Sequence, residues 1–122
     1  MITELDHVNI ETTDLDSSIA FYKSILGLKE GWRPPFDVPG AWLYAGDHPI
    51  LHLVLRPEVN TTTTGPIHHI AVKALDFDAV KARLVKAGLE VEVTTVPDVN
   101  VRQIFVTDFN QVRWEFNFYK DA

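Results

Sequence analysis

The chain contains no cysteine. That excludes a disulfide scaffold, a thiolate zinc site and a cysteine nucleophile. No apolar run reaches the roughly 18 residues that a bilayer span needs, so no membrane partner is expected. The opening stretch, MITELDHVNI, has no basic start ahead of an apolar segment and is not expected to be a signal peptide. Basic residues are outnumbered, 11 against 17 acidic, for a net charge of −6. They are also scattered, among them Arg33, Arg56, Lys73, Lys81, Arg83, Arg102 and Arg113, with no basic stripe, so nucleic acid is not an expected partner. The expected setting is cytoplasmic. What remains is 122 residues, 46% hydrophobic and 23% charged. That is the make-up of one ordinary globular domain, long enough to hide roughly two-thirds of its unfolded surface.

The informative feature is a hidden repeat. Leu5-Asp6-His7-Val8-Asn9-Ile10 resembles Ile67-His68-His69-Ile70-Ala71-Val72, at an offset of 62. Asp14-Leu15-Asp16 matches Asp76-Phe77-Asp78 at the same offset. Gly27-Leu28 matches Gly88-Leu89 at 61, and Leu51-His52-Leu53 matches Trp114-Glu115-Phe116 at 63. A nearly constant offset over four landmarks marks two homologous halves, about 1–60 and 61–122, joined by the turn-rich linker Asn60–Pro66. In the first half, alternation predicts a strand over 4–11. A helix follows from an N-cap at Asp14 to a stop at Gly27, with Ile19, Tyr22, Ile25 and Leu26 on one face. Strands are predicted near 28–33, 41–46 and 49–55, with a turn at Asp47-His48-Pro49. The second half repeats the order. A strand at 67–73 leads to a helix from Asp76 to Gly88 bearing Phe77, Val80 and Leu84. Strands near 89–96, 101–107 and 111–119 follow, with a turn at Asp108-Phe109-Asn110. The class is α+β, two βαβββ modules in tandem within a single domain, 1–122.

Side chains alternate across a strand. If Val8 and Ile10 face the helix, then His7, Asn9 and Glu11 face away from it. If Leu51, Leu53 and Leu55 face the helix, His52 does not. By the same rule His69 and Glu115 lie opposite the helix-facing Ile70, Val72, Trp114, Phe116 and Phe118. Each half therefore carries one pair, His7 with His52 and His69 with Glu115, in equivalent places. Around a pseudo-twofold axis these four would converge. Three imidazoles and a carboxylate suit one divalent cation: zinc, nickel, cobalt, manganese or iron(II). His68 is the alternative to His69, with register favouring His69. His48 is assigned a structural role. Trp32 and Tyr44 are expected to complete the core. Trp42, with Arg33 or Arg102 for an anionic group, is expected to line a substrate pocket, and Asn9, Arg113 and Asn117 share the polar face.

The chain resembles the vicinal oxygen chelate superfamily, the glyoxalase/bleomycin-resistance/dioxygenase group. The motifs are Leu5-Asp6-His7-Val8, the helix run Asp14-Leu15-Asp16-Ser17-Ser18-Ile19-Ala20-Phe21-Tyr22 with Leu26-Gly27-Leu28, then His69-Ile70-Ala71-Val72 and Asp108-Phe109-Asn110 ahead of Glu115. The helix segment is the most specific of these. The resemblance implies paired βαβββ modules forming a half-closed, cupped mixed sheet around a metal, with modules paired within a chain or across two. It implies His7, His69 and Glu115 as ligands. His52 stands where glyoxalase I and methylmalonyl-CoA epimerase often carry Glu or Gln. The usual Asp-Pro-x-Gly turn is replaced by Asp108-Phe109-Asn110-Gln111.

The expected function is metal-dependent action on a small molecule that chelates through vicinal oxygens, by lyase or isomerase chemistry. Glu115 and His52 are the candidate catalytic groups. One alternative is a non-haem iron(II) ring-cleaving dioxygenase, in which His7, His69 and Glu115 form a two-histidine, one-carboxylate triad and His52 stands beside the ion. The others are a bleomycin-resistance-like binder without catalysis and fosfomycin-type thiol transfer. Exposed sheet edges point to a homodimer.

Overall fold

A computed structural model describes residues 1–60, 62–97 and 99–119. Thr61 of the predicted linker and residues 120–122 of the second half lie outside the described residues. The chain divides into two compact units, Met1–Val59 and Asn60–Ala122. Unit 1 runs β1 (Val8–Thr12), α1 (Leu15–Leu26), β2 (Lys29–Gly31), β3 (Gly40–Ala45) and β4 (His48–Leu55). Unit 2 runs β5 (Ile70–Lys73), α2 (Phe77–Lys86), β6 (Glu92–Val96), β7 (Val101–Thr107) and β8 (Arg113–Tyr119). The βαβββ order thus occurs twice. Each unit holds one four-stranded mixed sheet that does not close on itself, ordered β1-β4-β3-β2 and β5-β8-β7-β6. In each sheet the first strand lies parallel to the last, and the other pairs are antiparallel.

The helices start and stop for local reasons. Asp14 is extended at φ −133°, and its carboxylate accepts from the Ser17 amide at 3.1 Å. That satisfies one of the amides a helix start leaves unpaired. Gly27 ends α1 in the left-handed region, φ 66°, where a residue without Cβ is unstrained. Asp76 caps α2 through the Ala79 amide at 3.3 Å, itself left-handed at φ 66°. Helix α2 stops at Lys86, short of Gly88, which forms the turn beyond it at φ 84°. Tyr22, Ile25 and Leu84 are fully buried. On the strands, Leu51, Leu53, Trp114 and Phe116 are buried as the alternation requires.

Several predicted strands shorten. β1 begins at Val8, β5 at Ile70, β6 at Glu92 and β8 at Arg113, and β2 covers three residues only. Apolar alternation marks which residues face the core, not how far the ladder runs: β4 begins at His48, ahead of Leu51 where β1 starts to pair. The predicted turn at His48 is also displaced. It falls at Gly46-Asp47, with Gly46 at φ 63°, and His48 opens β4. Trp32 does not complete the core: it is 70% exposed, its ring set edge-on to Trp42 at 6.1 Å and its carbonyl accepting from the Tyr44 hydroxyl at 2.5 Å.

Candidate functional site

The register makes the repeat geometric. His7 and His69 each sit one residue ahead of the first strand of their unit. His52 pairs with Asn9, and Glu115 pairs with Ala71. In both units the last-strand residue is therefore opposite the position two beyond the histidine, and parallel partners share a face. His7 is brought against His52 and His69 against Glu115, each within its own unit.

Both first-strand histidines have the same neighbour relation. His7 Nδ1 lies 2.6 Å from the carboxylate of Asp6, and His69 Nδ1 lies 2.9 Å from Nδ1 of His68. Asp6 and His68 are equivalent in the repeat. A carboxylate only accepts, so His7 Nδ1 carries the proton and its Nε2 keeps a lone pair. In the His68–His69 contact either ring can donate; with the proton on Nδ1, His69 Nε2 keeps a lone pair. Holding the far nitrogen in this way fixes ring and tautomer for metal binding. The hydrogen bond from His7 also holds the Asp6 carboxyl below its ordinary range, against some opposing desolvation.

In unit 2, His69 Nε2 lies 3.4 Å from Glu115 Oε1. Two donors about 2.1 Å from one tetrahedral cation stand about 3.4 Å apart, so this pair fits a shared ion. Glu115 is largely covered, its side chain 12% exposed. Phe105, which pairs with Glu115 across the ladder, meets the His69 ring edge-on at 6.1 Å.

Unit 1 departs from the expected four-donor set. The rings of His7 and His52 are stacked, 3.8 Å apart and 10° from parallel. The other face of His52 is stacked on Trp42 at 4.1 Å. A cation bound by an imidazole nitrogen lies near that ring's plane, about 2.1 Å out. An ion in the plane of His7 is then roughly a stacking distance off the plane of His52, so these rings do not converge on one ion. His52 Nε2 lies 3.1 Å from the Pro49 carbonyl, to which it donates. Its Nδ1 has no hydrogen bond among the described residues. Burial, and then the adjacent His7, hold His52 below the ordinary imidazole value, so it is neutral at pH 7.

The remaining candidates divide. Asn9 and Trp42 both pair with His52, on its face. Arg113 and Asn117 share the face of Glu115. Arg113 lies 4.7 Å above the Phe105 ring, with Nη2 3.3 Å from Glu92, and its buried Nε has no partner among the described residues. Arg33 is folded into its own loop, donating to the Val38 carbonyl at 2.9 Å and lying 5.0 Å over Phe36. Arg102 is not brought to the polar face. It pairs with Phe118 on the helix side and lies 3.8 Å over Phe77. His48 is held by the Asp6 carbonyl at 2.6 Å, in keeping with a structural role. Sequence reasoning missed Phe105, Thr94, Gln103 and the Asp6 contact; only the Asp6–His68 alignment gave a signal. Within each unit, and among the described residues, no three His, Asp or Glu side chains form a metal-holding group. No helix among them is long and apolar enough to cross a membrane.

Residues 4–116 match the model of the Glyoxalase/Bleomycin resistance protein/Dioxygenase superfamily, and the chain belongs to that superfamily. It is 28% identical over 116 residues to Glyoxylase I 4 of Arabidopsis thaliana, spanning 88% of this chain but only 66% of that protein's length. It is 30% identical over 106 residues to YwbC of Bacillus subtilis, covering 80% of this chain and 84% of YwbC. The fold is also that of FosX, a fosfomycin resistance protein of Listeria monocytogenes. A FosX variant complexed with Mn(II) and 1S,2S-dihydroxypropylphosphonic acid superposes with a TM-score of 0.77 at 18% identity, over 98% of this chain and 95% of that one.

Proposed function

We propose that this protein is a metal-dependent enzyme acting on a small molecule with oxygens on adjacent carbons, by proton-transfer chemistry of the isomerase or lyase kind. The observation that carries the reading is the matched register of His7 and of the His69–Glu115 pair, each histidine with Nδ1 against the residue before it. His7, His69 and Glu115 would hold one divalent cation, zinc, nickel, cobalt, manganese or iron(II), with donors drawn from one chain or from two. Such an ion, when bound, stabilises negative charge developing on a substrate oxygen. His52 is the base. Its Nε2–H is anchored on Pro49, burial keeps it neutral, and Nδ1 is left to take a proton. Arg113, on the face of Glu115, is the group placed to meet an anionic part of the substrate, and Asn9 and Trp42 line the wall beside His52. The FosX complex with Mn(II) and a diol on adjacent carbons supports this substrate geometry.

A second reading, a ring-cleaving iron(II) dioxygenase, is favoured by one observation. With His52 turned out of the ligand plane, two histidines and one carboxylate remain, the donor set of non-haem iron oxygenases. The metal-loaded protein distinguishes the two when offered 2-hydroxy ketones in deuterated water and catechols under air. Solvent deuterium entering the carbon beside the carbonyl, with no oxygen uptake, is the expected result. Oxygen uptake on catechols without deuterium incorporation would establish the second reading instead. Binding without turnover in either assay would leave a non-catalytic, antibiotic-binding type of protein.

A further inference from the structure

A line of three uncharged side chains crosses the sheet of unit 2 and ends on Glu115. Thr94 on β6, Gln103 on β7 and Asn117 on β8 are successive register partners, so all three face the same side as Glu115. Asn117 Nδ2 donates to Glu115 Oε2 at 2.7 Å. Gln103 Nε2 donates to Asn117 Oδ1 at 3.0 Å, and the Thr94 hydroxyl donates to Gln103 Oε1 at 2.8 Å.

The direction of this chain is set by its end. A carboxylate accepts only, so Asn117 must turn its amide N–H toward Glu115 and its oxygen toward Gln103. Gln103 must then donate to Asn117 and present its own oxygen to Thr94, whose hydroxyl must donate. Each donor polarises the next, and all the positive ends point at Glu115. Oε2 is thereby fixed, and Oε1 is the oxygen presented to His69 Nε2 at 3.4 Å.

We propose that Thr94, Gln103 and Asn117 are a positioning relay that holds Glu115 in its metal-binding orientation, with Oε1 presented and Oε2 retained by the protein. The proposal rests on the metal reading above. It assigns Asn117 to the carboxylate rather than to substrate, and gives Gln103 and Thr94 a role at a site they do not touch.

The test uses an isosteric change in polarity. In Gln103→Glu the new carboxylate cannot donate to Asn117. The Asn117 amide must then either leave that contact unmade or turn over and present its oxygen to Glu115. Zn²⁺ or Mn²⁺ affinity is measured by competition with a chelator, beside the thermal midpoint of the metal-free protein. Gln103→Glu should weaken metal binding about 10- to 100-fold, the range seen when partners of a ligand are removed. Gln103→Met, which deletes the contact without reversing it, should weaken it less. Variant midpoints within a few degrees of wild type would separate positioning from unfolding. Wild-type affinity in Gln103→Glu would overturn the relay while leaving the metal reading intact. Failure of the wild-type protein to bind either ion would overturn both.

Discussion

At the scale of residues, chemistry rests on which atom of each side chain is left over once the fold has used the rest. His7 and His69 both set Nδ1 against the residue before them, and Nε2 of His69 faces Glu115. His52 gives Nε2 to Pro49 and keeps Nδ1. The two kinds of histidine should therefore separate on mutation. His52→Ala should retain bound metal and lose about 10²- to 10⁴-fold in proton exchange, the usual worth of a positioned base. Loss of metal in that variant would mean that the ring turns on binding and the four-donor set stands. The shared faces of His7 with His52 and of His69 with Glu115 were legible in the sequence, because alternation and a constant offset fix faces. The orientation of His52 was not, since a rotamer stacked between His7 and Trp42 leaves no trace in residue order. Arg102 was misplaced although alternation gave the answer: in β7 it shares parity with the buried Ile104 and Val106.

At the scale of elements, the β7–β8 connection fixes the start of β8, the strand that carries Glu115. Asp108 is buried, and its carboxylate accepts from the amides of Asn110 and Val112 at 2.8 and 3.0 Å and from the Trp114 indole at 2.9 Å. Gln111, at φ 65°, completes the turn. Asp108→Ala would strand these donors and should cost roughly 2–4 kcal/mol, read as a lowered denaturant midpoint. In unit 1 the corresponding tight point is Gly40. A Cβ there would lie 2.3 Å from the Leu53 carbonyl and 2.7 Å from the Arg33 guanidinium, so Gly40→Ala should destabilise the β3–β4 pair, checked by the same unfolding measurement. The strands and helices could be read from the sequence because caps and periodicity are local. Their ends could not, because the extent of a ladder is set by how strands from distant parts of the chain lie together. The relay from Thr94 to Glu115 was invisible for a related reason: Thr, Gln and Asn are ordinary sheet residues until register lines them up.

At the scale of the molecule, two units share one topology, and each carries a histidine one residue ahead of its first strand. The first and last strands of each sheet order, β1 and β2 or β5 and β6, are edges within their unit, and such edges invite a partner. A homodimer is therefore expected by light scattering, and a monomer would contradict it. Mixing a His7→Ala chain with a Glu115→Ala chain shows where the donors come from. If they come from two chains, one site in each mixed dimer is intact and metal binding partly returns. If they come from one chain, every site keeps a lesion and nothing returns. Beneath both outcomes lies the claim that the repeat's register, and not histidine content, defines the metal site. The most direct measurement is bound metal per chain for His69→Ala and His68→Ala, side by side, after loading with Mn²⁺ or Zn²⁺. The expected result is that His69→Ala loses nearly all its metal while His68→Ala still fills at excess ion, with weakened affinity. A His68→Ala protein without metal beside a His69→Ala protein that retains it would contradict the site.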